Sequence, residues 1–368
     1  MIQSSGASKN VNFGSKENVI MGSESNIFSG AERPFLIAGP CAAESREQLM
    51  ASAEAIQGIR GLVAFRAGLW KPRTRPGDFE GVGEQGLDWL KEVKERTGLK
   101  LAVEIAIPSH VEACLKAGVD IVWIGARTVV SPFVVDEIAT ALKGSEVCVM
   151  VKNPLNPDLS LWAGGIERLL NTGIKNLAAV HRGFDMYYSK PYRNLPLWEI
   201  PIELKNIFPE LPVLCDPSHI GGQREYLSRI SQKALDLGMD GLMIETHIDP
   251  GKALTDVAQQ ISPEELKQII AGLKIREQQG KTDASLEKYR TSIDELDEQL
   301  LDILSKRMQL SELIGSLKKE QNLAPYQPDR WVGLLQDRLE KASSLKLNTD
   351  FVKKVFEVIH IESISKQE

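Results

Sequence analysis

The stretch PFLIAGPC, residues 34–41, is a short apolar run that ends in a cysteine, and seven later stretches share this form. Each run has the length and composition of a buried β-strand and ends in a side chain that can bind an anion or a metal. The seven are GLVAFR (61–66), KLAVE (100–104), IVWIGAR (121–127), VCVMVK (147–152), LAAVHR (177–182), VLCDPSH (213–219) and LMIE (242–245). Segments of crossover-helix length separate them. This rhythm predicts an α/β fold, a (β/α)8 TIM barrel, whose catalytic groups lie at the carboxyl ends of the strands.

The composition indicates an ordinary soluble, cytoplasmic enzyme. The chain has 368 residues and a formal charge of −6, which argues against a nucleic-acid partner. It contains no apolar run of membrane-spanning length, and its start lacks the basic and apolar segments of a secretory signal. The irregular spacing of the cysteines predicts no disulfide framework. They are Cys41, Cys114, Cys148 and Cys215.

The composition and residue pattern of the chain change at three points, which predicts four stretches. Residues 1–30 are rich in Ser, Gly and Asn and are expected to form a flexible leader. Residues 31–275 carry the strand and helix rhythm of the barrel. Residues 276–285 are polar and are expected to form a linker. Residues 286–368 have no strand pattern, and they predict an all-α domain.

The C-terminal stretch predicts three helices. Leu296, Leu300 and Ile303 belong to an apolar stripe that runs along a first helix of roughly 35 residues, about 50 Å long. Two shorter helices follow near 328–343 and 349–366, the last with Thr349 as its expected N-cap. A stripe of this length needs a cover in water. The pattern therefore predicts a homodimer formed through this domain, or a higher oligomer.

Four side chains at or just beyond strand ends could bind a metal. A thiolate, an imidazole and two carboxylates at one rim suit a divalent transition metal that acts as a Lewis acid, and Mn, Fe, Co and Zn fit this set about equally. Each residue alone could equally be structural, so the prediction depends on their shared position. The four are Cys41, His219, Glu245 and Asp256.

Cations converge on the same rim of the predicted barrel. Their burial next to apolar strands is costly unless anions neutralise them, and guanidinium groups match phosphate and carboxylate geometry. The pattern predicts two small substrates that each carry several negative charges. The cations are Arg66, Lys71, Arg73, Arg127, Lys152 and Arg182.

At these residues the chain resembles the metal-dependent 3-deoxy-D-arabino-heptulosonate 7-phosphate (DAHP) synthases. The resemblance covers about 31–275 and is carried by five motifs in one order. These are GPCAAES, FRAGLWKPRTRPGDFEGVG, IGARTVVSP, DPSHIGG and MIETHIDPGKALTD. It implies condensation of phosphoenolpyruvate with erythrose 4-phosphate at the start of the shikimate pathway, with a divalent metal and no organic cofactor.

The resemblance also implies a role for each matched residue. Cys41, His219, Glu245 and Asp256 would bind the metal. Glu104 would lie near the attacking water, and Arg73 and Thr74 would hold the aldose phosphate. Phosphoenolpyruvate would lie against Arg66, Lys71, Arg127, Lys152 and Arg182. A related synthase of an eight-carbon sugar acid phosphate has Asn-Arg-Ser where this chain has Pro-Arg-Thr, which favours the four-carbon aldose.

The tail, across about 284–368, resembles the all-helical chorismate mutases. The resemblance implies rearrangement of chorismate to prephenate, a pericyclic step that needs only cations and hydrogen-bond donors. Arg290, which would reach across a dimer, and Arg307 would bind the carboxylates. Lys318 and Gln367 would face the ether oxygen, and Arg330 and Ser363 would support them.

Two positions depart from that family. Where its members usually carry carboxylates near the substrate hydroxyl, this chain has Gln327 and Trp331. Gln can still accept a hydrogen bond, but the Trp side chain cannot. The alternative function is therefore a synthase whose helical domain mainly senses chorismate or prephenate and catalyses little. In either case we expect feedback inhibition of the barrel to act through the helical domain.

Overall fold

The computed structural model describes residues 27–28, 32–71, 77–186, 190–276 and 284–367. The chain forms two compact units, with the boundary between Gln278 and Gln279. Arg73 and Thr74 lie outside the described residues, as do most of the predicted leader and linker. Within the described part of the chain, no helix is both long and apolar enough to cross a membrane.

The first unit is a closed barrel of eight parallel strands, as the sequence predicts. Each strand pairs with the next along the chain, and the last pairs with the first. Their carboxyl ends therefore meet at one mouth. The strands are β1 Phe35–Gly39, β2 Leu62–Ala67, β3 Lys100–Ile105, β4 Ile121–Ile124, β5 Cys148–Lys152, β6 Leu177–His181, β7 Val213–Cys215 and β8 Gly241–Glu245.

Helices surround the barrel, and several begin at sequence signals that fix their first turn. Ser262 and Glu265 form a reciprocal capping box, and Asp158 accepts a hydrogen bond from the Leu161 backbone amide. The helices of this unit are α1 Arg46–Ile56, α2 Gln85–Thr97, α3 Pro108–Lys116, α4 Pro132–Leu142, α5 Leu159–Asn171, α6 Glu199–Ile207, α7 Pro217–Gly221, α8 Leu227–Asp236 and α9 Pro263–Gly272.

Short helix α7 differs from the sequence-based expectation, which placed DPSH at the end of a strand. Strand β7 ends at Cys215, and Pro217 then occupies the first turn of a helix. Proline has no backbone N–H to lose there, and the Asp216 carboxylate caps the turn by accepting from the His219 amide at 3.0 Å. His219 is therefore held on a capped helical turn above the barrel mouth.

The second unit contains three described helices, α10 Ala284–Glu320, α11 Pro328–Ser344 and α12 Thr349–Ser365. Helix α12 packs against both of the others. The prediction of Thr349 as its N-cap was wrong. The helix begins at Thr349, and Asn348 is the residue that caps it. The side-chain oxygen of Asn348 accepts a hydrogen bond from the backbone amide of Phe351, three residues later, as a Thr hydroxyl in the N-cap position also could.

Candidate active sites of the barrel and the helical unit

Three of the four predicted metal ligands form one cluster at the barrel mouth. Ligand atoms of Cys41, Glu245 and Asp256 all lie within 4.8 Å of one another. His219 lies at the edge of this cluster, with its Nε2 atom 3.8 Å from Glu245 Oε1. Sulfur, nitrogen and oxygen donors at this spacing fit a divalent transition metal. The residues present therefore fit the group that the resemblance implies.

A carboxylate that the sequence reasoning did not assign holds the predicted histidine ligand. Asp216 Oδ2 lies 2.8 Å from His219 Nδ1 and also accepts a hydrogen bond from Lys152 Nζ at 2.8 Å. Burial raises the pKa of Asp216, but the nearby His219 and Lys152 more than offset this and hold that pKa well below its ordinary value. Such a partner on one imidazole nitrogen directs the other nitrogen toward a metal.

The predicted cysteine ligand is a buried thiol beside an ammonium group. Lys71 Nζ donates to Cys41 Sγ at 3.3 Å, and the thiol donates to Asp256 Oδ2 at 3.2 Å. Burial and the Glu245 charge raise the pKa of Cys41 to about 12, although Lys71 acts in the opposite direction. A Cβ atom on Gly68 would lie 2.4 Å from Lys71 Nζ, so a glycine is needed for the lysine to reach the sulfur.

Arg66 is a buried cation at the base of the same site. Its Nη2 atom lies 3.3 Å from Glu245 Oε1, and its guanidinium lies 5.0 Å from the centroid of the Trp123 ring. Its Nε and Nη1 atoms are buried and have no hydrogen-bond partner among the described residues. Buried donors of this kind need an acceptor, and an anionic substrate would provide one.

The predicted residues above this base line a single cavity of about 80 Å³. Glu104 projects into it because residue 125 is glycine; a Cβ atom there would lie 2.2 Å from Glu104 Oε1. The structure thus brings metal ligands and cations to one mouth. The predicted residues that line the cavity are Cys41, Lys71, Glu104, Arg127, Lys152, Arg182, His219 and Asp256.

Three polar residues that the sequence analysis did not single out complete the barrel site. Asn194 accepts a hydrogen bond from Arg182, whose pKa burial lowers to about 10 with help from neighbouring arginines. Arg193 donates to the carboxylate of Asp256, and Gln259 donates to that of Glu245. All three lie in loops, where no periodic pattern distinguishes them from solvent-exposed polar residues.

The helical unit brings four predicted residues together in two pairs. Lys318 Nζ donates to Gln367 Oε1 at 2.9 Å, and Arg307 donates to the hydroxyl of Ser363. Burial and the nearby Arg338 charge lower the pKa of Arg307. Lys318 Nζ also donates to the Pro325 carbonyl at 2.6 Å. These contacts link α10 to α12 and to Gln367, just after the end of α12.

The other two predicted cations of this unit are exposed. Arg290 forms an ion pair with Glu287, one turn earlier on α10, at 2.7 Å. Arg330 lies exposed in the first turn of α11. A single copy of the described chain therefore pairs Arg307 with α12 and Lys318 with Gln367, and it leaves Arg290 at the surface.

Trp331 stacks on a histidine at the position where the resembled family usually has a carboxylate. Its ring lies 3.9 Å from the ring of His360, with an interplanar angle of 5°. Burial, together with the charges of Arg307 and Lys318, lowers the pKa of His360. An indole ring stacked on an imidazole therefore occupies this position.

Comparison with known proteins gives a family match for each of the two units. Residues 16–281 match the model of the DAHP synthetase I family, and residues 289–368 match chorismate mutase type II. The phospho-2-dehydro-3-deoxyheptonate aldolase of Thermotoga maritima is 30% identical over 65% of this chain and 68% of its own length. Its crystal structure superposes with a TM-score of 0.58 at 29% identity, covering 66% of this chain and 71% of that one.

A second group of relatives has a different name, 2-dehydro-3-deoxyphosphooctonate aldolase. The 2-dehydro-3-deoxyphosphooctonate aldolase of Geotalea uraniireducens is 31% identical over 66% of this chain and 92% of its own length. The identity is similar for both groups, so overall similarity alone does not separate them. The family model covers the whole barrel, from β1 to α9, and a separate model covers most of the helical unit. The chain therefore belongs to the DAHP synthetase I family and carries a type II chorismate mutase domain after its barrel.

Proposed function

We propose that the barrel condenses phosphoenolpyruvate with erythrose 4-phosphate and water to give DAHP and phosphate. The observation that supports this most strongly is the single cavity in which Cys41, His219 and Asp256 meet the cations Lys71, Lys152 and Arg182. A bound divalent metal there supplies Lewis-acid polarisation of a carbonyl oxygen. The cations bind phosphate and carboxylate groups of the substrates.

The protein groups perform three tasks in this reaction. Lys152 and Arg182 bind the negatively charged groups of phosphoenolpyruvate. The Nε and Nη1 atoms of Arg66, which have no partner among the described residues, donate to the substrate oxygen that lies deepest in the site. Glu104 faces the cavity without a covalent role and orients the water that adds to the substrate. Because these charges are fixed before substrate arrives, most of the acceleration comes from positioning and electrostatic stabilisation.

The proposal is tested by following loss of phosphoenolpyruvate with erythrose 4-phosphate, before and after removal of metal with a chelator. We expect turnover that disappears on chelation and returns with Mn²⁺, Fe²⁺, Co²⁺ or Zn²⁺. Arabinose 5-phosphate in place of erythrose 4-phosphate tests the alternative aldose. Faster turnover with arabinose 5-phosphate would contradict the proposed substrate and favour the eight-carbon product.

For the helical unit we propose chorismate mutase activity. The Lys318–Gln367 and Arg307–Ser363 pairs support this, because each combines a cation with a polar side chain, the kinds of group that a dicarboxylate substrate would need. The sensing alternative is supported by Trp331, which cannot accept a hydrogen bond from a substrate hydroxyl. Turnover of chorismate by the full chain tests the choice. Prephenate formation supports catalysis, whereas chorismate binding without turnover supports sensing alone.

We also propose that two copies of the chain pair through α10. Apolar side chains along this 37-residue helix are exposed, including Leu296 at 62% and Leu313 at 62%. A second copy would cover this stripe and could bring its Arg290 to the site of Arg307. A Leu296→Asp substitution should then produce monomers in sedimentation experiments, and an unchanged dimer would contradict this interface.

A further inference from the structure

The dipeptide Arg193–Asn194 lies between β6 and α6, against the turn that carries His219. The backbone amide of Asn194 donates to the Ile220 carbonyl at 3.1 Å, and that of Arg193 donates to the Gly221 carbonyl at 3.3 Å. Two backbone hydrogen bonds therefore fix the dipeptide to α7. From this position the Asn194 side chain contacts Arg182 of the proposed anion site, and the Arg193 side chain contacts Asp256 of the proposed metal site.

The Asn194 side chain joins the anion site to the metal site through one amide. It is 4% exposed, and its Oδ1 atom accepts from Arg182 Nη1 at 2.8 Å. Its Nδ2 atom donates to the backbone carbonyl of His219 at 2.6 Å. A displacement of the Arg182 guanidinium therefore acts directly on the backbone of a metal ligand.

The Arg193 side chain extends the same connection to two more carboxylates. Its Nη1 atom donates to Asp256 Oδ1 at 2.8 Å and to Gln259 Oε1 at 2.7 Å. Gln259 Nε2 in turn donates to Glu245 Oε2 at 2.7 Å. Asp256 has a φ of +48°, in the left-handed region that is uncommon for non-glycine residues, although Asp adopts it more readily than most.

Two glycines allow this close packing. Gly183 has a φ of +77°, and a Cβ atom on it would lie 2.9 Å from the Cβ of Asn194. Gly222 has a φ of +69°, and a Cβ atom on it would lie 2.5 Å from the Cβ of Arg193. The dipeptide is thus enclosed on both sides, which allows it to transmit small shifts instead of absorbing them.

We propose that Arg193 and Asn194 are positioning residues that couple the anion site to the metal site, so that phosphoenolpyruvate and a divalent metal bind cooperatively. The inference rests on the proposed function of the barrel. An anion on Arg182 fixes the guanidinium that Asn194 contacts, and Asn194 and Arg193 then hold His219 and Asp256 in place for the metal. The coupling is reciprocal, and such effects typically amount to about 5- to 150-fold in affinity.

A merely structural role makes a different prediction. If the dipeptide only supported the loops, its loss would weaken both ligands and leave the effect of one on the other unchanged. The informative quantity is therefore the ratio of metal dissociation constants measured without and with saturating phosphoenolpyruvate. Neither affinity alone separates the two roles.

The experiment titrates metal-free full-length protein with Co²⁺ and follows the thiolate-to-cobalt absorption that Cys41 would produce. The titration is repeated in saturating phosphoenolpyruvate, without aldose, so that no turnover occurs. We expect wild-type protein to bind Co²⁺ at least about 5-fold more tightly when the anion is present. A ratio of one in wild-type protein would overturn the proposal.

Matched variants locate the coupling. Asn194→Asp keeps an acceptor for Arg182 but cannot donate to the His219 carbonyl, and Asn194→Ala removes both contacts. We expect the ratio to fall toward one in both variants and in Arg193→Ala. Asn206→Ala removes an exposed asparagine whose side chain hydrogen-bonds to Glu203, three residues earlier on α6, and its ratio should stay at the wild-type value. Wild-type ratios in the folded Asn194 and Arg193 variants would overturn the proposal.

Failure of the proposed function would look different. Wild-type protein would then bind no Co²⁺ through Cys41, or no phosphoenolpyruvate, in the separate titrations. A protein that binds each ligand normally but without mutual effect retains the proposed function and loses only the coupling. Melting temperature and far-UV circular dichroism identify any variant that has not folded. If Asn194→Ala or Arg193→Ala fails to fold, Asn194→Asp, which preserves the side-chain shape, is the variant whose ratio of metal dissociation constants decides the test.

Discussion

Lys71 Nζ lies 3.3 Å from Cys41 Sγ, so the chain places a cation beside the thiol that should bind the metal. Burial still dominates and raises the pKa of Cys41 to about 12, which keeps the thiol protonated when no metal is present. Metal binding therefore has to displace a proton, and the nearby ammonium group stabilises the thiolate that results. This relationship leads to the first prediction.

Cys41→Ser should retain the fold but lose most of its metal affinity, because a neutral hydroxyl is a poor replacement for a thiolate. Metal content after dialysis, measured by elemental analysis, checks this. Cys114→Ala is the matched control, since Cys114 is a buried thiol on α3. Full metal content with normal turnover in Cys41→Ser would contradict the ligand assignment.

Gly125→Ala should lower synthase turnover without changing metal content. The new Cβ atom would lie 2.2 Å from Glu104 Oε1, so the carboxylate has to move from its place in the cavity. We expect a loss of about 10-fold or more in kcat, since positioned acid–base groups contribute about 10²- to 10⁴-fold.

The control for this change is Gly164→Ala. A Cβ atom at Gly164, within α5, meets nothing within 4 Å. That variant should keep full activity and gain about 0.5–1 kcal/mol in its free energy of unfolding, because alanine is the better helix former. Equal turnover in the two variants would show that Glu104 does not need its observed position.

His181 should make the barrel less stable in mild acid. Burial lowers its pKa from 6.5 to about 3, so the folded protein keeps the imidazole neutral while the unfolded chain takes up a proton below pH 6.5. The stability contribution is therefore complete above that pH and is lost as the pH falls toward 3. Between pH 7 and pH 5 the loss is about 2 kcal/mol.

Replacement of this histidine tests the effect. His181→Phe keeps an aromatic ring among Trp162, Phe184 and Trp198 but cannot bind a proton. In urea unfolding followed on the barrel, the difference in stability between pH 7 and pH 5 should shrink by about 2 kcal/mol in this variant. A variant as acid-sensitive as wild type would contradict the assignment to His181.

The sequence could predict which residues meet at the barrel mouth, because strand ends fix positions. Lys152 and Glu245 are the last residues of β5 and β8, so the closed parallel barrel necessarily brings them to the same mouth. Arg193 could not be predicted in this way. Its contact with Asp256 joins residues that are 63 positions apart in two irregular loops, and only the folded backbone brings these loops together.

Asp216 shows a second limit of the sequence. The motif DPSH was noticed for its histidine, but the aspartate has three roles: it caps α7, orients the imidazole and pairs with Lys152. From the local sequence alone, only the capping role of Asp216 could be predicted, because Asp is a preferred N-cap residue. The imidazole contact depends on the helical turn that follows Cys215, which the sequence was expected to continue as a strand end, and the pairing with Lys152 depends on how β5 and β7 are placed around the barrel.

Arg307→Ala should separate the two proposed reactions. The side chain bonds Ser363 within the helical unit, and its loss removes a cation for a substrate carboxylate. Chorismate turnover should fall at least about 100-fold, in the range seen when one preorganised electrostatic group is removed. Lys306→Ala removes the neighbouring exposed cation and should have little effect. Synthase turnover should remain normal in both; its loss in a folded Arg307→Ala protein would show that the two sites are not independent.

Deletion of residues 284–368 should give a synthase that no longer responds to prephenate. The reason is that the cation and donor pairs suited to a dicarboxylate, Arg307–Ser363 and Lys318–Gln367, lie in the helical unit. A ligand bound there can inhibit the barrel only if it binds two arrangements of the protein with different affinity, an effect of about 1–3 kcal/mol in typical cases.

Inhibition is measured as phosphoenolpyruvate loss against prephenate concentration, in the full chain, the truncated barrel and full-length Arg307→Ala. We expect sensitivity in the full chain alone. A truncated barrel that remains as strongly inhibited as the full chain would place the effector site in the barrel.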